Sequence, residues 1–292
     1  MKKIFSILAV ATLLMVGCEN SDNIPVVEEG VMQIEVLHPS ATRATETTFE
    51  SGDVIGLYVT EYSEEVASPL QISGNWANNV ATTYNGTEWN PAKKIFWSEN
   101  KMDVYGYYPY MTPSSIDEHL WSVQLDQSTP ETADALSGYE ASDFLWAKAK
   151  GVSQVEESVQ LEFKHRCSKL VVKLVKGADY SGVLPTESEL YIHSTVPTAT
   201  IDFTTGAVTK YLYGEMGTIK AKRVDDGTFE AIIIPQRIET RRPFLEFIAN
   251  GVSYLYEGTF IFKAGKQHTL ELTIDTNPDQ IQVEIGGETG GW

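Results

Sequence analysis

Thr83-Tyr84-Asn85-Gly86-Thr87-Glu88-Trp89 carries the pattern that decides the fold. β-Branched and aromatic residues flank an Asn-Gly pair, and both residues of that pair tolerate the positive φ of a tight hairpin reversal. Working outward, the same signals recur. Val54 to Thr60, Lys93 to Trp97, Met102 to Tyr108, Asp143 to Ala147, Val159 to Phe163 and Leu170 to Val175 are β-branched and aromatic runs that read as strands. Met32-Gln33-Ile34-Glu35-Val36 alternates apolar and polar residues, the period of a half-buried strand.

The second half repeats this pattern. Glu189 to His193, Ala199 to Phe203, Val208 to Tyr211, Thr228 to Ile234, Phe244 to Asn250, Val252 to Tyr256 and His268 to Ile274 read as strands. Thr205-Gly206, Asp225-Asp226-Gly227 and Asn250-Gly251 mark reversals between them. Only Ser114 to Leu120 and Glu131 to Tyr139 hint at short helices. Many short strands separated by turns predict an all-β chain of antiparallel sandwiches, one per half. The polar stretch from Lys176 to Gly182, closed by Pro185, sets the expected boundary between them.

Composition narrows the function. In 292 residues there are 40 acidic and 22 basic side chains, a net charge of −18, which argues against a nucleic-acid partner. With 42% hydrophobic residues the chain has the means to build a core. Two cysteines cannot make a disulfide scaffold. HExxH, GxSxG, P-loop and GxGxxG motifs are absent. His165 and Cys167 share a strand face but lack an orienting third group, so a buried structural cysteine is the expectation. The acidic pairs Glu64-Glu65, Glu156-Glu157 and Asp225-Asp226 lack the alternation of a calcium loop and read as solvated turns. No catalytic residue, metal or cofactor is expected. The aromatics Trp76, Trp89, Trp97, Tyr105, Tyr107, Tyr108 and Tyr110 are either core or a sugar-stacking surface.

The N-terminus reads as an export signal. Lys2 and Lys3 precede an apolar run from Ile4 to Val16, too short for the roughly 20 residues of a membrane helix, and Gly17-Cys18 follows. This resembles a bacterial lipoprotein signal, with Met15 where Leu is usual and Cys18 as the lipidated residue. The stretch from Pro39 to Thr48 is small, polar and irregular, the composition of a protease-accessible loop. A cut after Arg43, before Ala44, would leave 35 acids and 19 bases, a net charge of −16 that keeps a subunit soluble until a specific contact forms.

Two segments near the ends are near-copies. Met32-Gln33-Ile34-Glu35-Val36 and Ile281-Gln282-Val283-Glu284-Ile285 place Gln and Glu at the same offsets between three apolar residues. Two such strands could fill one groove in turn. Asn277-Pro278 is expected to free the second segment from the last core strand, and Gly286-Gly287 to end it.

Several blocks together resemble a known family. Thr42-Arg43-Ala44 is followed by Phe49-Glu50-Ser51-Gly52-Asp53-Val54-Ile55-Gly56-Leu57-Tyr58, then by Lys94-Ile95-Phe96-Trp97 and Asp103-Val104-Tyr105-Gly106-Tyr107-Tyr108-Pro109. Asp143-Phe144-Leu145-Trp146-Ala147, Phe163-Lys164-His165-Arg166-Cys167-Ser168-Lys169-Leu170 and Phe262-Lys263-Ala264-Gly265-Lys266 complete the series. In order and spacing they resemble the fimbrillins, pilins of the type V pili of Bacteroidales.

The resemblance implies two transthyretin-like antiparallel β-sandwich domains in tandem. Together with the residue patterns above, this gives an expected signal peptide over 1–17, a propeptide with an N-terminal strand over 18–43, domains over 44–178 and 179–276, and a donor strand or tail over 277–292. The lipoprotein export machinery would deliver the precursor to the outer membrane, and an arginine-specific protease would cut after Arg43. Met32, Ile34 and Val36 would then be displaced, and Ile281, Val283 and Ile285 of another pilin subunit would replace them in a surface fimbrium. The alternative is a monomeric, carbohydrate-binding surface lipoprotein.

Overall fold

Strand Met102–Tyr108 is buried at every position, so it lies at the centre of a sheet covered on both faces. Met102, Val104 and Tyr108 point into one core and Tyr105 and Tyr107 into another, following the two-residue period of a strand. In the computed structural model, which describes residues 30–38, 49–156, 158–239, 241–275 and 282–290, this strand pairs with Val54–Ser63 and Leu145–Val152. Ala77–Tyr84 and Trp89–Pro91 extend the sheet beyond Val54–Ser63, and Lys164–His165 beyond Leu145–Val152. The Asn-Gly reversal closes the expected hairpin, with Tyr84 opposite Trp89 and Gly86 at φ +97°. Asn85 Oδ1 accepts from the amides of Thr87 and Glu88, which fixes the turn.

Gly106 shows how tightly the first core is closed. A Cβ there would lie 2.8 Å from the Phe163 ring, so only glycine lets that ring lie on the sheet.

The second half is a sandwich of a five-stranded and a four-stranded sheet. The first is ordered Lys222–Arg223, Thr228–Ile233, Ser168–Lys176, Lys266–Ile274 and Gln282–Gly290. The second is ordered Gly217–Lys220, Ser188–Thr195, Pro243–Ala249 and Val252–Glu257. Their inner faces share one core in which the Phe229 and Phe247 rings meet at 6.2 Å. Each such fully buried apolar side chain contributes about 1.5–3 kcal/mol.

Several expectations need correction. Ser168–Lys176 pairs with Thr228–Ile233 and Lys266–Ile274, so the change of sheet falls between His165 and Ser168, not at 178. The halves also interleave, since His119–Ser122 pairs with Thr198–Asp202. Tyr107 meets Phe203 at 4.8 Å, and Trp146 Nε1 donates to the Phe203 carbonyl at 2.7 Å. The sheets are antiparallel as expected, with two parallel pairs among the described strands, Ser168–Lys176 with Lys266–Ile274 and Ile34–Leu37 with Val159–Glu162. Neither expected helix forms. Ser115 Oγ accepts from the amides of Asp117 and Glu118 in a turn, and the chain then enters strand His119–Ser122. The second helix signal reduces to the 3₁₀ turn Glu140–Ser142, which reciprocal Ser137–Glu140 hydrogen bonds hold. Lys93 to Trp97 is likewise no regular strand, making only an isolated bridge between Val31 and Phe96.

Candidate functional site

The N-terminal segment lies in a groove between two stretches of the first half. Met32 N donates to the Ile95 carbonyl at 2.8 Å, and Trp97 N to the Gly30 carbonyl at 2.9 Å. Farther along, Ile34 faces Val159 and Val36 faces Leu161 in a four-residue parallel pair. The amides of Val159 and Phe163 donate to the carbonyls of Gln33 and Leu37 at 2.8 and 2.9 Å. Alternation places Met32, 2% exposed, and the partly buried Ile34 and Val36 on the core with Leu57, Val104 and Phe163.

The outward face has its own partners. Glu35 accepts from the Ser158 hydroxyl at 2.7 Å and from Gln160 Nε2 at 3.3 Å. Beside the strand lies a cleft of about 540 Å³ bordered by Phe49, Tyr84, Glu88 and Trp89. Phe49 meets His38 and Trp89 edge-on, each at 5.0 Å, and His38 meets His165 at 6.0 Å. Asp53, below this cluster, accepts from Glu50 N and the Tyr108 hydroxyl, yet burial still holds its carboxyl above the usual range.

The C-terminal strand is placed very differently. Gln282–Gly290 lies antiparallel on Lys266–Ile274 at the outer edge of the five-stranded sheet, with Val283 opposite Leu272 and Ile285 opposite Leu270. Val283 touches the core, but Ile285 is 68% exposed. Lys263 and Glu288 form an ion pair at 2.6 Å across the pairing. The segment is therefore not released from the last core strand, and it runs through Gly286 and Gly287 instead of ending there, with a register shift between Thr269 and Leu270. Cys18, Arg43, Ala44 and Ile281 lie outside the described residues.

The residues considered for chemistry are separately accounted for. Cys167 is completely buried, and burial, then the charge of Asp143, pushes its thiol up, away from a reactive thiolate. His165 Nδ1 pairs with Asp143 at 2.8 Å. Among the described residues, no group of three His, Cys, Asp or Glu side chains is placed to hold a metal ion.

The sequence reading missed a buried polar cluster. Asp103, 1% exposed, accepts from Tyr62 at 3.0 Å and Gly151 N at 2.9 Å, with Lys148 Nζ 2.9 Å away. Burial alone would raise this carboxyl, but the hydrogen bonds from Lys148, Gly151 and Tyr62 outweigh it and hold the group below its usual range. Nothing in the alternation of Met102 to Tyr108 singles out a buried aspartate.

Comparison with known proteins agrees with this architecture. A sequence profile described as fimbrillin-like matches residues 42–292. The chain is similar to a protein described as fimbrium subunit Fim1C, from Bacteroides uniformis, with 26% identity over 171 residues. That match covers 56% of this chain and 52% of Fim1C, about half the length of that relative. Two crystal structures, each described as a cell adhesion protein, share the fold at a TM-score of 0.65. The one from Bacteroides uniformis is 20% identical and covers 90% of this chain and 100% of that one. The one from Bacteroides ovatus is 18% identical and covers 89% and 96%. With the profile matched over most of its length, the chain belongs to the fimbrillin-like family.

Proposed function

We propose that this protein is a non-enzymatic subunit of an adhesive surface fimbrium, made as a lipoprotein through Cys18, cut after Arg43 and joined to its neighbours by strand exchange. The observation that carries the reading is an asymmetry between two near-copies. Met32, Ile34 and Val36 fill a groove, whereas Ile285 of the matching segment lies exposed at a sheet edge of its own subunit.

Removal of residues up to 43 would open the groove along Val159–Glu162. A neighbour's Val283 would take the place of Ile34 opposite Val159, and its Ile285 that of Val36 opposite Leu161. Glu284 would replace Glu35 as acceptor for Ser158 and Gln160. Burying Ile281, Val283 and Ile285 would contribute about 1.5–3 kcal/mol each, with a backbone ladder in addition. Fimbrial naming of the relative and the fimbrillin-like profile both support this role.

Replacement of Arg43 by Ala tests the maturation step. The variant should fold normally yet stay monomeric when treated with an arginine-specific protease, while the wild type gives ladders that survive mild detergent. Ladders of normal length from the variant would show that the cut is elsewhere or not needed.

A further inference from the structure

Of the seven aromatics that could have formed a sugar-stacking surface, Tyr105, Tyr107 and Tyr108 are core residues, Trp89 and Trp97 are partly buried and packed on the core, and Tyr110, 39% exposed, lies outside the Trp76 cleft. Trp76 is different. It is 46% exposed, and among the described residues no other tryptophan is as open to solvent. Beside it lies Phe96, 47% exposed. The two border a cleft of about 330 Å³ together with Lys93, Lys94 and Asn78, floored by the buried Ile95.

This cleft is built, not incidental. Trp76 Nε1 donates to the Phe96 carbonyl at 2.8 Å, which fixes the indole and spends its only donor. The loop that carries it is held from within: Asn75 Oδ1 accepts from Gln71 N, Asn75 Nδ2 donates back to the Gln71 carbonyl, and Asn78 Oδ1 accepts from Asn75 N. On the other side, Phe96 is bridged to Val31. An exposed apolar ring costs solvation, and holding it rigid in a concavity lowers the entropy lost when a flat ligand face is bound.

Charge identifies the ligand class. In a chain of net charge −18, this cleft carries two adjacent lysines, and Lys93 makes no ion pair among the described residues. We infer that the Trp76–Phe96 cleft binds a carboxylate-bearing saccharide. The C–H face of a sugar ring stacks on the indole, and the carboxylate of a sialic or uronic acid residue meets the ammonium of Lys93. The cleft adjoins the strand groove, since Val31 bridges Phe96 and Met32 N donates to the Ile95 carbonyl, but Trp76, Lys93 and Phe96 all lie beyond Arg43 and stay with the subunit after a cut there.

Titration calorimetry on the intact subunit with 3′-sialyllactose and with lactose tests it. Sialyllactose should bind, and lactose about tenfold more weakly or not at all. Trp76→Ala should abolish binding of both, and Lys93→Gln should remove the preference for the acidic sugar, each with an unchanged thermal transition. Galacturonate oligomers serve as a second acidic probe, so that a uronate site is recognised even if sialyllactose is refused. No binding of either acidic probe, equal binding of lactose, or binding that survives Trp76→Ala would overturn the assignment.

Discussion

Ile34 stands opposite Val159 in a parallel pair only four residues long. The N-terminal segment is held besides by three inward side chains, by the bonds of Glu35 to Ser158 and Gln160, and by two backbone bonds to residues 95–97. The sheet it covers is paired independently of it, through Met102–Tyr108 and its neighbours. Val283 and Ile285 likewise add to a sheet whose inner strands are complete without them.

Ile34→Asp should loosen the strand selectively. A carboxylate on the core face costs about 2–3 kcal/mol or must protonate to stay. Amides of Val159 and Phe163, which donate to Gln33 and Leu37, should exchange at least about tenfold faster, with little change at Val104. Uniformly faster exchange would mean that the strand is an integral part of the fold.

Lys148→Met should destabilise the first half by about 3 kcal/mol, because it leaves the Asp103 charge buried without its cation. The pH dependence follows from the two shifts. The carboxyl of Asp103 is lower in the folded state, so its contribution is present above the ordinary pKa of about 4 and is lost as pH falls through the folded value. Lys148 is raised in the folded state, because bonds to Tyr105 and Asp103 outweigh burial, so its contribution is full below about pH 10 and lost as pH rises through the folded value. Wild-type stability should thus have an acid limb below pH 4, and the variant should lack the part of it that Asp103 contributes while keeping that of Glu189, Asp225 and Glu246. Urea melts between pH 2 and pH 7 read this directly.

Cys18→Ala should remove acylation entirely, since one thiol is the only attachment point the signal offers. Labelling with a fatty-acid analogue should give no signal from the variant. Full labelling would refute the lipoprotein reading of residues 1–18.

Local grammar was legible in the sequence, and long-range partnership was not. Thr83 to Trp89 gave its hairpin, and the alternation of Met32 to Val36 put the right side chains inward, because both depend on neighbours two to four residues apart. His119–Ser122 was misread because its partner, Thr198–Asp202, lies far along the chain, and Ser115 makes the intervening turn look helical. The expected boundary near 178 follows a real turn, but one that joins strands within the second half. What the sequence could not reveal was the buried Asp103, or that Trp76 and Phe96, twenty residues apart, border one cleft.

The central claim is that the C-terminal strand of one subunit fills the groove that Met32, Ile34 and Val36 vacate in the next. Its most direct test is chain length, measured on unheated gels after arginine-specific cleavage, for the wild type, for a form lacking residues 279–292 and for Val283→Asp. The account predicts long ladders from the wild type, folded and cleaved monomers from the truncated form, and little beyond dimers from the aspartate variant. Ladders of wild-type length from the truncated form would contradict it.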